Sequence, residues 1–257
     1  MDKKIEWNNL NSDSKIVIYA FDHAAVWGNL AGLERPGDLY SKVSPWADAI
    51  LTSYGSYRKW ATIINQTAGL LRCDGGWSPL QNSPYNNFNL YFDCEEAKSL
   101  GAKGIICMAI FGDKESEVTL FNVAKLAKSA KKHGLFLIGE VLFSRPVSIE
   151  ERCQAVRITT EWGADIIKTE YPDSVEGFNK LLNSTYVPVV VLGGQKKNNP
   201  MDILSMVSSV MKAGGNGVTI GRNVWQQDNP EVLAKAIYSI VHHDKKPEDA
   251  LAQAQNH

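Results

Sequence analysis

Lys168 is the residue whose type and setting point most directly to chemistry. It follows two aliphatic residues in the run Ile166-Ile167-Lys168-Thr169. A lysine carried on an apolar strand must find a partner or lose its solvation. Desolvation favours the neutral amine over the ammonium, and a neutral amine attacks a carbonyl carbon to give an imine. The protonated imine is an electron sink, so a C–C bond beside it can break or form. The competing reading is a lysine that reaches water along its own stem or closes a structural ion pair. Two carboxylates stand where they would meet it. Glu170 shares its strand face by period-two alternation, and Glu140 lies in the apolar stretch 136–143 and needs a partner if buried. Either would serve as a general acid/base or as half of an ion pair. Asp22 closes the run KIVIYAFD and is followed by His23. It is a candidate for orienting a substrate hydroxyl or shuttling a proton, although an Asp-His exit also suits a helix cap or turn. Arg72 and Asp74 end the run around GLLRC, and Arg72 joins His23 as a candidate substrate-binding group.

These residues need a scaffold, and the chain alternates apolar runs of strand length with amphipathic stretches of helix length about eight times. The expected strands are residues 15–22, 47–52, 69–73, 104–111, 135–143, 165–170, 187–192 and 217–220. Helices are expected at 37–46, 57–65, 95–100, 117–133, from a cap at Ser148, and at 174–182, 199–212 and 229–242. Leu120, Val123, Ala124, Ala127 and Ala130 recur at helical spacing, and Gly134 follows as a C-terminal glycine. Ser148 with Glu151 makes a capping box; Asn199-Pro200 and Asn229-Pro230 each read as a cap with proline in the first turn. Residues 75–93 are rich in Gly, Asn, Ser, Pro and aromatics (Trp77, Tyr85, Phe88, Tyr91, Phe92) and read as an ordered active-site loop.

Continuous β-branched strands joined to helices by short connections imply parallel βαβ units buried on both faces. Eight units, with no early G-x-G-x-x-G, favour a single (β/α)₈ TIM barrel over an open doubly wound sheet. The expected division is an N-terminal extension over 1–14, the barrel over 15–243, and a polar C-terminal tail over 244–257 that is either loose or at an oligomer contact. A barrel carries its chemistry at the carboxyl ends of its strands. Asp22, His23, Arg72, Glu140, Lys168 and Glu170 all fall there. Gly193-Gly194 follow the seventh strand and Gly221-Arg222 the eighth, where barrels build phosphate sites from glycine amides and a cationic fork. Lys196 and Lys197 either add charge to such a site or form a solvated pair.

Bulk properties narrow the class further. The chain has 257 residues, 44% hydrophobic and 21% charged, with a net charge of −1. That fits one barrel and supplies no global field for nucleic acid or an anionic membrane. The polar first eleven residues lack the apolar core of a signal peptide, and no apolar run reaches the length of a membrane span. Cys73, Cys94, Cys107 and Cys153 form no C-x-x-C pair and read as free thiols of a reducing compartment, so cytoplasm is expected. The five histidines are dispersed, and neither a metal nor another cofactor is expected.

Four segments in combination, YAFDHA around Asp22, GADIIKTEYP around Lys168, VPVVVLGG through Gly194 and GGNGVTIGRNVWQQDNP through Pro230, resemble the archaeal-type class I aldolases. That family includes fructose-bisphosphate aldolases, an aminodideoxyheptulosonate synthase and an autoinducer-processing thiolase. The resemblance covers residues 15–243 and is densest after 162. It implies that Lys168 is the Schiff-base lysine, Asp22 the first-strand aspartate, and Gly193, Gly194, Gly221 and Arg222 the phosphate loops. It also implies a homo-oligomer of rings or stacked rings. One departure matters. The aldolases carry a proton-transfer tyrosine near the end of the fifth strand, in a Tyr-Pro-Arg-Gly segment. Here Glu140-Val141-Leu142-Phe143-Ser144-Arg145-Pro146 puts Leu142 or Phe143 at that position. Proton transfer then falls to Glu140, with Glu170 or Tyr171 behind it. The expected function is a Schiff-base class I aldolase acting on a phosphorylated ketose or related sugar derivative. Thiolase-like or transferase chemistry through the same lysine, and a non-catalytic sugar-phosphate-binding barrel, remain the alternatives.

Overall fold

A computed structural model describes residues 7, 13–76, 78, 80, 88–112, 115–172 and 174–256. Eight of the apolar runs form strands β1 (Ile16–Ala20), β2 (Ala49–Thr52), β3 (Ala68–Arg72), β4 (Gly104–Phe111), β5 (Phe136–Phe143), β6 (Ile166–Thr169), β7 (Val189–Leu192) and β8 (Gly217–Ile220). Each pairs in parallel with the next, and β8 returns to β1 with Ile16 opposite Gly217 and Ile18 opposite Thr219, closing a TIM barrel. The strands alternate between two apolar surfaces. Ile16, Ile18 and Ala20 face the barrel interior together with Leu51, Leu70, Ile138 and Ile166. Val17, Tyr19, Leu71, Leu137 and Val191 face the surrounding helices. Each fully buried aliphatic side chain contributes about 1.5–3 kcal/mol of transfer free energy, which is why the strands read as unbroken apolar runs.

The helical layer comprises α1 (Ala24–Trp27), α2 (Pro36–Val43), α3 (Tyr54–Ile64), α4 (Cys94–Ser99), α5 (Glu115–His133), α6 (Ile149–Glu161), α7 (Val175–Leu182), α8 (Pro200–Lys212), α9 (Arg222–Trp225), α10 (Pro230–His243) and α11 (Pro247–Gln255). The capping box at Ser148 and Glu151 forms, and Asp93 with Glu96 makes a second at α4. Gly134 turns the chain out of α5 with φ +65, a conformation that carries no penalty for glycine. The stretch expected as one helix over 37–46 divides into α2 and a 3₁₀ turn, Ser44–Trp46. Pro45 has no N–H to continue the α-helical ladder.

Several expected boundaries shift for definite reasons. Asp165 was expected inside a strand. It precedes β6 and accepts the Leu137 N–H through its side chain at 2.8 Å. Glu170 lies beyond the end of β6. The polar tail is no loose end, because α11 docks on α8 and α10 and buries Pro247, Ala250 and Ala254. Of the aromatic loop, Asp74–Gly75 pair antiparallel with Asn89–Leu90, whereas Trp77 and Tyr85 lie outside the described residues. At the opposite end of the barrel Trp7 stacks on Phe136, with ring centroids 4.7 Å apart. The rest of the expected extension, residues 1–6 and 8–12, also lies outside the described residues. Among the described residues, no helix is long and apolar enough to cross a membrane.

Candidate active site

The barrel's alternation turns Lys168 inward, three residues into β6, where it is buried. The β5–β6 register sets Glu140 opposite it. Nζ of Lys168 lies 2.6 Å from Oε1 of Glu140. Of the two carboxylates expected to meet the lysine, Glu140 is the one in contact with the buried amine. The other Glu140 oxygen accepts from Nη2 of Arg72. Nε of Arg72 donates to Asp22 at 2.8 Å, and Nη1 donates to Asp74 at 3.2 Å. The free oxygen of Asp74 accepts the Met108 N–H at 2.7 Å. Arg72, expected as a substrate-binding group, lines the cavity, and each of its three guanidinium nitrogens also meets a carboxylate, so that it is the hub joining Asp22, Asp74 and Glu140.

Two cations thus face three carboxylates. Burial pushes the Asp22 carboxyl up, but the charges of Arg72 and Lys168 outweigh burial and hold it well below the usual carboxylate range. The same contest, burial against Lys168 and Arg72, leaves Glu140 below its ordinary value. Asp74 has Arg72 but no contact with Lys168, and there burial prevails and pushes its carboxyl up. The excess negative charge favours a cation at the position of Nζ, which suits an iminium as well as an ammonium.

The cluster opens into a cavity of about 350 Å³ at the carboxyl ends of the strands. Asp22, Arg72, Asp74, Glu140 and Lys168 form its polar end. Leu142 lines the same cavity. Phe143 points outward, against Phe111 and under the Arg152 guanidinium. Of the two residues that the resemblance sets at the tyrosine position, Leu142 lines the cavity and has no proton to give, and Phe143 does not line it. Glu170, expected near the amine, is corrected as well. Past the strand end its alternation lapses, and its carboxylate pairs with Arg152 on α6 at 3.0 Å, half-exposed. Tyr171 packs on Phe178 and borders a separate depression with Arg152 and Lys180.

His23 bridges the lysine cavity to the loops after β7 and β8. Its Nδ1 lies 3.5 Å from Asp22 in a geometry that makes no hydrogen bond. Burial, and then the charges of Lys168 and Arg222, push its imidazole down against the pull of Asp22, which favours the neutral ring. A Cβ on Gly221 would lie 2.7 Å from Cε1 of His23 and 2.8 Å from the Ala20 carbonyl oxygen, so only glycine lets β8 pass this close to β1. Gly193, Gly194, Gly221 and Arg222 do not line the lysine cavity itself; they form the adjoining rim. Asn223, fully buried, ties that rim together. Its amide donates to the carbonyls of Gly193 and Gln195 at 2.8 and 2.9 Å, and its oxygen accepts the Lys197 N–H at 2.7 Å. Nε of Arg222, Oγ1 of Thr219 and Nδ1 of His23 are buried without a hydrogen-bond partner among the described residues. Three such orphans at the ends of two neighbouring strands mark a place for a polar ligand.

Thr219 and Asn223 carry no signal in the sequence as site groups, and Asp74, a polar residue at the end of the third strand, carries none for a role of its own. Asp74 is two residues beyond Arg72 and so shares its face, a signal that alternation offered. Asn223 sits in the motif GRNVW without a distinguishing feature, and only the fold shows that it joins two loops thirty residues apart.

Comparison with known proteins agrees with this geometry. Residues 16–227 match the DeoC/LacD family aldolases. A 3-hydroxy-5-phosphonooxypentane-2,4-dione thiolase of Yersinia pseudotuberculosis is 30% identical over 244 residues, 94% of this chain and 81% of that protein. The crystal structure of an archaeal fructose 1,6-bisphosphate aldolase is similar with a TM-score of 0.81 at 25% identity, over 91% of this chain and 96% of that one. A Schiff-base-forming fructose-1,6-bisphosphate aldolase is similar with a TM-score of 0.78 at 26% identity, over 89% and 94% of the two chains. The chain belongs to the DeoC/LacD family of aldolases.

Proposed function

We propose that the protein is a class I aldolase that forms a Schiff base through Lys168 with a phosphorylated ketose or a related sugar derivative. The observation that carries this reading is the buried Lys168–Glu140 contact at the floor of a cavity on the carboxyl side of the barrel. Glu140 takes a proton from Nζ, and the free amine adds to the substrate ketone. Loss of water gives an iminium whose positive charge replaces that of the ammonium among Asp22, Asp74 and Glu140. Removal of the proton from the hydroxyl β to the iminium carbon, by Glu140 or Asp22, breaks the C–C bond. An aldehyde leaves, and the electron pair rests on the enamine. Protonation of the enamine and hydrolysis release the ketone. The substrate phosphate lies on the adjoining rim, where Arg222 and the backbone of Gly193, Gly194 and Gly221 meet it. Arg72 is a positioning residue in this scheme.

Sodium borohydride reduction in the presence of dihydroxyacetone phosphate, read by intact mass, tests the reading. The wild type gains the mass of the reduced adduct, and Lys168→Ala does not. A gain retained by the variant would place the imine on another lysine, and no gain in the wild type would remove the Schiff base from the account. Leu142 in place of a hydroxyl, together with the thiolase relative, favours one second reading, in which the same lysine serves a transfer to a thiol. Turnover that requires coenzyme A would select it.

A further inference from the structure

The lysine cavity has two ends of different chemistry. One is the carboxylate cluster. The other is an apolar wall built from Val26, Trp27, Tyr54, Phe92, Tyr91 and Leu142. Tyr54 and Phe92 stack face to face with centroids 4.3 Å apart. Trp27 and Tyr91 stand at the mouth 48% and 54% exposed, a large aromatic surface to leave facing water beside a reactive amine. One cation touches this wall from outside the lining: Arg58 lies over the Tyr54 ring, its Cζ 5.6 Å from the centroid. Lys168 and Arg72 are the charged bases among the described lining residues, and both are paired with carboxylates. Arg222, whose Nε is buried without a hydrogen-bond partner among the described residues, does not line this cavity.

We infer, building on the aldolase reading above, that the site takes one phosphorylated ketone and joins it to, or splits it from, an unphosphorylated aldehyde with an apolar, ring-bearing tail. A second phosphate at the aldehyde end would face Asp22 and Asp74 and an aromatic wall, with no lysine or arginine free of a carboxylate among the described lining residues, which opposes binding. An aryl tail would stack between Trp27, Tyr91 and the Tyr54–Phe92 pair. In the synthetic direction the Lys168 enamine carbon attacks the aldehyde carbonyl carbon and one C–C bond forms. The new alkoxide takes one proton from the Glu140 carboxyl, and water hydrolyses the iminium to release the aldol. One ketone and one aldehyde give one product, with no oxidant or other co-reactant.

The test gives the full-length protein dihydroxyacetone phosphate as donor and either phenylacetaldehyde or glyceraldehyde 3-phosphate as acceptor. Aldol product is read by mass spectrometry, and donor imine is trapped in parallel by borohydride. The expected result is a kcat/KM for phenylacetaldehyde at least about tenfold above that for glyceraldehyde 3-phosphate. Trp27→Arg, its fold checked by thermal melting, should shift that ratio about tenfold towards the phosphorylated aldehyde. Trapping with equal or better use of glyceraldehyde 3-phosphate overturns this inference and leaves the Schiff base standing. Trapping with neither aldehyde consumed overturns it as well. No trapping at all overturns the aldolase reading, and this inference with it.

Discussion

Two arginines stand at the same rim of the barrel and behave in opposite ways. Arg72 is nearly buried, and each of its guanidinium nitrogens meets a carboxylate. Arg222, on the loop after β8, keeps a buried Nε with no partner among the described residues. In the first, charge already matched within the fold serves architecture: it holds Asp22 and Glu140 ionised beside Lys168. In the second, an unmatched donor next to glycine-rich backbone is where an external anion gains free energy. Charge type alone does not separate a binding arginine from a positioning one; the carboxylates around each arginine do.

That contrast can be broken or sharpened in four ways, from the largest effect to the smallest. Glu140→Gln keeps the shape of the hub but removes the proton acceptor, so kcat/KM for retro-aldol turnover should fall about 10²–10⁴-fold. A variant within tenfold of wild type would exclude Glu140 as the proton carrier. Arg72→Met leaves three buried carboxylates without their common partner and should cost about 3–5 kcal/mol at neutral pH, measured by denaturant unfolding. The pH sign provides a second check. In the wild type, Asp22 and Glu140 are held below their ordinary values. Their contribution is present above about pH 4 and is lost as pH falls through the folded values. Asp74 is raised and opposes them in part. Without Arg72 the carboxylates move up, so the variant should recover stability on mild acidification where the wild type does not. Equal acid slopes in the two proteins would mean that Arg72 is not the hub.

Arg222→Met should barely change stability but raise KM for a phosphorylated ketone about 10–100-fold, the worth of a charge-assisted hydrogen bond. An unphosphorylated ketone should show no such rise, and an equal rise for both would place the anion elsewhere. Asn223→Ala removes three hydrogen bonds between the loops after β7 and β8. We expect a loss of about 1–3 kcal/mol in stability and a smaller rise in KM for the phosphorylated ketone. Unchanged KM despite the stability loss would make the tie purely structural.

The fold was largely legible because its signals are local. Buried parallel strands write themselves as runs such as VPVVVL, and caps such as Ser148 with Glu151 mark helix starts without reference to anything distant. Where local signals compete, the reading slipped. Polar composition made residues 244–257 look unattached, yet Pro247, Ala250 and Ala254 fall on one face of α11 and dock on the barrel. Period-two alternation placed Glu170 beside Lys168, and it failed because β6 ends at Thr169.

The same division runs through the site. By itself the sequence determined that Lys168 and Glu140 lie on apolar strands, that Asp22 and Arg72 stand at the ends of two others, and that glycines follow the last two. Strand polarity and alternation set those facts, and both are local. Tertiary structure decided that Arg72 gathers three carboxylates, that Leu142 and not Phe143 lines the cavity, and that Asn223 stitches the rim. Each of those depends on distances between strands far apart in the chain. Closure of the barrel sets such distances, because register and inward facing have no counterpart in residue order.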